Sequence, residues 1–206
     1  LEKNKQPTRK NIFDCIDALV TMNHRAGFIN GEGDGVGIHI DIPKTLWKEK
    51  LQKAKVDPSL AVTDSFAVGH IFISQKANWD STKQELLHKL KTYDLEIIFE
   101  TNQVTDSNAL GPIAIQENPT FWQFACISKK SGQELSKVLF ETIIDLETNE
   151  HVHVASLSQN HAVYKVMGAG DILPRYYKDL ASPIVASTVT LGHNRYSTNT
   201  LSSFFR

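Results

Sequence analysis

The sequence predicts a mixed fold of helices and antiparallel or parallel strands, and three observations predict it. Val36 to Ile42 alternates strictly, with Val36, Ile38, Ile40 and Ile42 on one face, the period of a half-buried strand. Leu135, Val138, Leu139, Ile143 and Leu146 recur at helical spacing. Two short alternating runs flank Gln159-Asn160-His161 and read as a β-hairpin. Helices and strands alternate early, whereas the hairpin comes late. Pattern alone therefore gives α/β or α+β and leaves both open.

The elements follow in order. Asn11 is expected to cap a first helix with Ile12, Ile16, Leu19 and Val20 on its apolar side, ending near His24. The strand from Val36 stops at Pro43, which also suits the first turn of a short helix through Leu46, Trp47 and Leu51. Phe66 to Ser74 is apolar on both faces, as a central strand would be. Asp80 then caps a helix carrying Leu86, Leu87 and Leu90, and a strand starts at Leu95. Ser107 to Pro112 is rich in breakers and reads as a turn. Further strands are expected from Phe121 and, last in the chain, from Ile184 into Asn194-Arg195. No low-complexity tract, long linker or repeat divides the 206 residues, so one compact unit is expected.

Composition excludes several classes. Lys plus Arg is 22 against 23 for Asp plus Glu, a formal net charge of −1, which lacks the basic excess that binding of nucleic acid through bulk charge needs. With 41% apolar and 22% charged residues the chain is too apolar for a disordered protein. No apolar run approaches the ~20 residues that span a bilayer, and the polar, basic LEKNKQPTRKN start is not expected to be a signal peptide. Cys15 and Cys126 form no disulfide framework, so a cytoplasmic setting is the default.

Candidate chemistry weighs as follows. The glycines of Gly31-Glu32-Gly33-Asp34-Gly35-Val36-Gly37 follow a helix and precede a strand, the reverse of a dinucleotide loop. A tight loop entering a strand weighs above any phosphate site. His151 and His153 share a strand face, but no third ligand stands at an obvious spacing, so no metal is expected. Lys44, Lys48, Lys50, Lys53 and Lys55 read as a solvated helix face. Cys126 reads as a small buried hydrophobe and Cys15 as the edge of a helical stripe; neither shows the setting that activates a thiol. Gly192 to Thr200 is different: it sets Arg195 among hydroxyls and amides after an apolar strand. Arginine grips carboxylates through two parallel hydrogen bonds. A grip on a small polar acid and a plain polar loop stand level on composition alone.

Three stretches together carry a resemblance. Met22-Asn23-His24-Arg25 leads to Gly33-Asp34-Gly35-Val36-Gly37-Ile38 and then Ile42-Pro43. Ala109-Leu110-Gly111-Pro112-Ile113-Ala114 forms an LG-x-x-A segment ahead of a strand. Ser156-Leu157-Ser158, Tyr164-Lys165 and His193 to Thr200 match a block of the type SLS, YK, HSRFSTNT. In this order and spacing the chain resembles the class II glutamine amidotransferase domain of glutamate synthases, an N-terminal-nucleophile hydrolase. Ala26-Gly27 stands where the family has Gly and a small residue, Val36 replaces Ala, and Tyr196 replaces Phe.

The resemblance implies an α+β fold, the αββα four-layer sandwich, here as part of a larger amidotransferase-like domain over residues 1–206. It implies the reaction glutamine plus water to glutamate plus ammonia, with the ammonia passing to a synthase domain or subunit. Arg195 would clamp the glutamine α-carboxylate with Thr198 and Asn199 beside it. Arg25 would brace the loop that carries the nucleophile, and Asp34 would shape the turn into the first strand. Flavin mononucleotide and an iron–sulfur cluster belong to the synthase part, so no cofactor is expected in this domain. Family members begin with a Cys-Gly start whose thiol is the nucleophile and whose α-amine is the base. They carry an oxyanion Asn-Gly pair and an acidic residue further on. This sequence starts at Leu1 and ends at Arg206, so it is expected to be incomplete and to lack glutaminase activity alone. The alternatives are a non-catalytic amidotransferase-like module that binds a small amino acid or a partner protein, and a hydrolase of a different amide. Neither a nucleic acid nor a membrane is expected as a partner.

Overall fold

Thr8, rather than Asn11, caps the first helix. In the computed structural model, which describes residues 4–194 and 203–205, Thr8 Oγ1 accepts the backbone N–H of Asn11 at 3.1 Å. The Asn11 amide instead donates to the carbonyl of Ser187. The hydroxyl three residues upstream reaches the orphan N–H that an N-cap must satisfy. Helix α1 (Arg9–Thr21) buries Ile12, Ile16 and Leu19 and leaves Val20 outside. A 3₁₀ turn, Met22–Arg25, follows it.

Strands β1 (Phe28–Ile29) and β2 (Glu32–Gly33) form a small hairpin around Asn30 and Gly31. Both turn residues have positive φ, 50° and 84°, the signature of an Asn-Gly hairpin turn. Strand β3 (Val36–Asp41) alternates buried and half-buried residues as its sequence predicts. Helix α2 (Lys44–Lys53) starts immediately after Pro43 and buries Leu46, Trp47 and Leu51. Then come β4 (Phe66–Ile73), α3 (Trp79–Thr92), β5 (Leu95–Thr101), α4 (Pro112–Glu117), β6 (Thr120–Ser128) and α5 (Gly132–Leu146). The chain continues through β7 (Val152–Ser158), β8 (His161–Val166), the short helices α6 (Leu173–Tyr176) and α7 (Lys178–Ala181), and β9 (Thr190–Asn194). Helix α3 is capped by Asn78, whose Oδ1 accepts the N–H of Ser81; Asp80, expected as the cap, lies in the first turn.

The chain divides into two units: Leu1–Pro43, Gln103–Asn118 and Val163–Arg206 make the first, Lys44–Asn102 and Pro119–Ala162 the second. The second is built on a four-stranded sheet of order β5-β6-β4-β7, every neighbour antiparallel. Strand β4 is buried along its whole length, because it is paired on both edges and covered on both faces. Ile71, Trp122 and Phe124 on one face join Leu86 and Leu90 of α3 and Leu135 and Leu139 of α5 in one apolar cluster. Each such side chain contributes roughly 1.5–3 kcal/mol on full burial. On the other face the Trp47 ring meets Phe66 and Phe99 edge-on, both at 5.9 Å. Lys50 turns in from α2 to donate to Gln123 Oε1, and Gln123 contacts buried His70 at 2.9 Å. Lys44 lies over the Phe66 ring at 5.1 Å. The lysine run is thus not one solvated face: Lys48, Lys53 and Lys55 are exposed, while Lys44 and Lys50 cover apolar surface.

The first unit holds a three-stranded sheet of order β8-β3-β9. Strands β7 and β8 therefore do not form the expected hairpin: β7 pairs with β4 and β8 with β3. Alternation and a turn report two strands but not their partners. The last strand is also shorter than expected. Residues 184–189 are irregular because Ser187 bridges to Thr8 and the backbone of Thr188 is held by the Asp41 carboxylate. Rings of Tyr164, Tyr176 and Tyr177 pack edge to face at 5.0 and 4.8 Å. Their hydroxyls reach Asp179, Asn118 and the Lys165 carbonyl, which satisfies the polar ends of three buried rings. The observed class is mixed helix and strand with antiparallel sheets.

Candidate active site

The Met22–Arg25 turn, the loop before Val36 and the described end of the Gly192–Thr200 run meet at one end of the three-stranded sheet. Antiparallel register sets Val36 opposite Asn194, Gly37 opposite His193 and Ile38 opposite Gly192. The start of β3, just past Asp34, is thereby beside the end of β9, just before Arg195. The Met22–Arg25 turn joins them through Asn194, whose Nδ2 donates to the carbonyls of Leu19 at 3.1 Å and Met22 at 3.5 Å. These carbonyls close α1, where a helix leaves acceptors without intrahelical partners.

The glycine-rich run is fixed from two sides. The N–H of Asp34 donates to the Gly27 carbonyl at 2.9 Å, and the Asp34 side chain is buried. Glu32 turns the other way and caps α4: its carboxylate accepts the N–H of Ile113 at 2.8 Å and of Ala114 at 3.3 Å. The LG-x-x-A segment is therefore attached to the hairpin that precedes Asp34. Lys165 follows buried Tyr164 on β8, and Gly37 of β3 lies against it. The sheet face bearing Gly37, His39, Lys165, Leu191 and His193 borders a cavity of about 410 Å³. That size suits a small ligand.

Of the residues expected to form the site, Asp34 is buried in the loop and Arg25 ends the 3₁₀ turn with its side chain exposed. Arg195, Thr198 and Asn199 lie outside the described residues. Ser156 and Leu157 are on β7, in the four-stranded sheet of the other unit. Sequence reasoning missed Glu32 and Asn194. Only the Asn30-Gly31 turn signal pointed to the hairpin that aims Glu32, and nothing local marks Asn194.

Neither thiol is set up as a nucleophile. Burial pushes the Cys126 thiol up to about 12 and raises that of Cys15 as well. Cys126 is sealed in β6, and Cys15 lies against Gly192. Reactive thiols need the opposite, an electropositive and open setting. His153 pairs with Glu147 at 2.8 Å and stacks on Phe72, and Glu147 also accepts the N–H of Val154. Among the described residues no three His, Cys, Asp or Glu side chains are grouped to hold a metal, and no helix is long and apolar enough to cross a membrane.

A family model described as class-II glutamine amidotransferases matches residues 1–206. The ferredoxin-dependent glutamate synthase of Antithamnion sp. is 29% identical over 96% of this chain and 14% of its own length. The NADH glutamate synthase of Saccharomyces cerevisiae is 29% identical over 99% of this chain and 10% of its own. The ferredoxin-dependent enzyme of Pyropia yezoensis is 30% identical over 96% of this chain and 14% of its own. The chain thus spans between a tenth and a seventh of the length of these relatives. With its whole length matched, the chain belongs to the class II glutamine amidotransferases.

Proposed function

We propose that this chain is the glutamine-handling domain of a glutamate synthase-like amidotransferase, hydrolysing glutamine to glutamate and ammonia for a synthase domain or subunit. One observation carries the reading: the Met22–Arg25 turn, the Gly33–Gly37 loop and the end of β9 are joined through register and through Asn194. Arg195, next in the chain, clamps the glutamine α-carboxylate, with Thr198 and Asn199 completing the grip. Asp34 shapes the turn into β3, and Arg25 braces the segment that brings the nucleophile. Residues 1–206 belong to one amidotransferase domain, of the αββα class that the resemblance implies. The thiol of a Cys-Gly start attacks the amide carbonyl, ammonia leaves, and water hydrolyses the thioester. Flavin and iron–sulfur chemistry belongs to the synthase part.

The second reading is a non-catalytic module that keeps the amino-acid grip without turnover; the raised thiols of Cys15 and Cys126 fit either reading, since neither is the thiol of a Cys-Gly start. Arg195→Lys tests the clamp, in a version of the protein with a Cys-Gly start and the downstream Asn-Gly pair. Lysine offers one point charge where arginine offers a planar fork. Charge-assisted bonds are worth roughly 1.5–3 kcal/mol each, so kcat/KM should fall by about one to two powers of ten. Most of the fall belongs in KM, since the carboxylate is held alike in ground and transition states. An unchanged KM with a large drop in melting temperature refutes the clamp. Glutamate binding without turnover in that version selects the non-catalytic module.

A further inference from the structure

A cavity of about 530 Å³ opens in the second unit, where the end of α3 meets the start of β5 and the end of β6. Its lining falls into two sets. Leu87, Leu90, Leu95, Ile97 and Ile127 are buried or half-buried, whereas Lys91, Asp94, Glu96 and Lys129 are exposed. Aliphatic side chains therefore make the floor, and two charges of each sign stand at the mouth. Leu95 is opposite Ser128, so Asp94 and Lys129 lie one step beyond that pair on facing strands, and Lys91 precedes Asp94 by three residues. Opposite charges this near in the chain usually pair: on the same helix Lys83 meets Glu100 at 2.7 Å and Lys89 meets Glu85 at 3.2 Å. Among the described residues none of the four at the mouth makes an ion pair or a side-chain hydrogen bond. Asp94 also stands where it is costly. Its φ of 55° is one that glycine or asparagine adopts most readily, and its carboxylate follows the negative end of α3.

We propose that this cavity binds a free aliphatic α-amino acid, with Lys91 and Lys129 meeting its carboxylate, Asp94 and Glu96 its ammonium group, and the apolar floor its side chain. The charges at the mouth select among ligands. An anion would sit beside two carboxylates and a cation beside two ammonium groups. An uncharged ligand would take water from all four and return nothing. A zwitterion carries both signs one carbon apart and satisfies both pairs. The floor holds no aromatic ring, and the hydroxyl of Ser128, the remaining polar side chain of the lining, already accepts the N–H of Lys130. That leaves nothing to stack on or to read polar edges, so the side chain that fits is aliphatic. The volume lies in the range of small-ligand sites. None of the residues of the candidate active site lines this cavity, so binding here is a further property of the chain.

The test titrates the full 206-residue chain with four probes while its backbone amide resonances are followed, at about pH 6.5, where a free α-amino group is protonated. L-Leucine carries both charges, N-acetyl-L-leucine only the carboxylate, L-leucine amide only the ammonium group, and N-acetyl-L-leucine amide neither. L-Leucine should shift the amides of residues 87–97 and 127–129 with a dissociation constant of about 0.1–1 mM, modest because the mouth is exposed and screened. Each probe that lacks a charge should bind about fivefold or more weakly. Asp94→Asn removes one charge and keeps a residue that adopts positive φ, so its melting temperature should equal or exceed that of the unaltered chain. It should weaken L-leucine and L-leucine amide about threefold to tenfold and leave N-acetyl-L-leucine no weaker. Lys129→Gln should do the reverse, weakening L-leucine and N-acetyl-L-leucine but not the amide. N-acetyl-L-leucine amide binding as tightly as L-leucine at the same residues overturns the amino acid and makes the cavity a seat for an apolar peptide segment. Variants that affect all probes alike, or none, overturn the assignment of the charges. No shift up to about 20 mM L-leucine, or shifts only at other residues, overturns the site.

Discussion

Gly27 and Asp34 close the β1–β2 hairpin against each other, and the space between them is full. The Gly27 carbonyl accepts the Asp34 N–H, and a Cβ on Gly27 would lie 2.6 Å from Asp34 Oδ2. Asp34 is only 4% exposed, so its carboxylate has little room to retreat. Gly27→Ala should therefore destabilise the domain by about 1–3 kcal/mol, the usual cost of overpacking. In a chain of this size that lowers the melting temperature by roughly 3–10 °C. A melting curve superimposable on that of the unaltered chain would show that the loop yields freely, and Asp34 would then not hold its shape.

Asp41 ties β3 to the irregular segment ahead of β9. Burial pushes its carboxyl up, but the Thr188 hydroxyl and amide and the Val189 amide outweigh that and hold it below the ordinary carboxylate range. A carboxylate lowered in the folded state adds stability above its unfolded value, near 3.9, and loses it as pH falls through the folded value. Asp41→Asn should cost about 1 kcal/mol at pH 7, less than the roughly 1.5–3 kcal/mol of a desolvated charge-assisted bond, since the side chain is part-exposed and screened. The gap in melting temperature between variant and unaltered chain should narrow steadily from pH 5 to pH 3. A gap that stays constant over that range assigns the loss to shape instead of charge.

Strand periodicity was legible where one segment carries the whole signal: the alternation from Val36 to Ile42 and the two-sided apolar run from Phe66 to Ser74 each match an observed strand that ends one residue earlier. Caps were less legible because candidates crowd together. Thr8 and Asn11, or Asn78 and Asp80, differ by two or three positions, and only the distance from oxygen to N–H chooses between them. Pairing was not legible at all for β7 and β8, since local pattern carries no record of which sheet a strand joins. The same holds for the site. The glycine run and the stretch before Arg195 are visible as motifs, but Asn194 contacts residues 175 and 172 positions away, and Glu32 contacts residues 81 and 82 away. Such contacts exist only once the sheet has brought distant segments together.

The two thiols should separate by accessibility and not by sequence context. A thiol pushed up to about 12 holds on the order of 10⁻⁴ of its population as thiolate at pH 8, and Cys126 is also sealed from solvent. Iodoacetamide at pH 8 should leave Cys126 unmodified in the folded chain. Cys15, half-buried and raised to a lesser extent, should react more slowly than a free thiol. In urea both should react at the same rate. Intact mass against time reads this directly, and rapid single labelling at Cys126 in the folded state would reopen it as a candidate nucleophile.

The cap that Glu32 places on α4 makes a sharper prediction, because it couples three residues that only the fold unites. Pro112 opens the helix and needs no N–H partner, while Ile113 and Ala114 present the orphan donors of the first turn. The Glu32 carboxylate accepts both, and the tip of that side chain occupies the space where a Cβ on Gly111 would stand, 2.3 Å from its Cδ. Glu32→Ala should cost about 1–2 kcal/mol through the lost cap. Gly111→Ala should cost about 2 kcal/mol or more, since the new methyl must push the carboxylate off the two N–H groups. The double variant should fall short of the sum by about 2 kcal/mol, the whole cost of Gly111→Ala alone, because without Glu32 the methyl meets no obstacle and no cap remains to lose. Urea unfolding of the four chains gives the coupling, with the denaturant slope checked for constancy. Additive costs would mean that Gly111 is not needed for Glu32. The LG-x-x-A segment would then owe its place beside the glycine loop to something other than this cap.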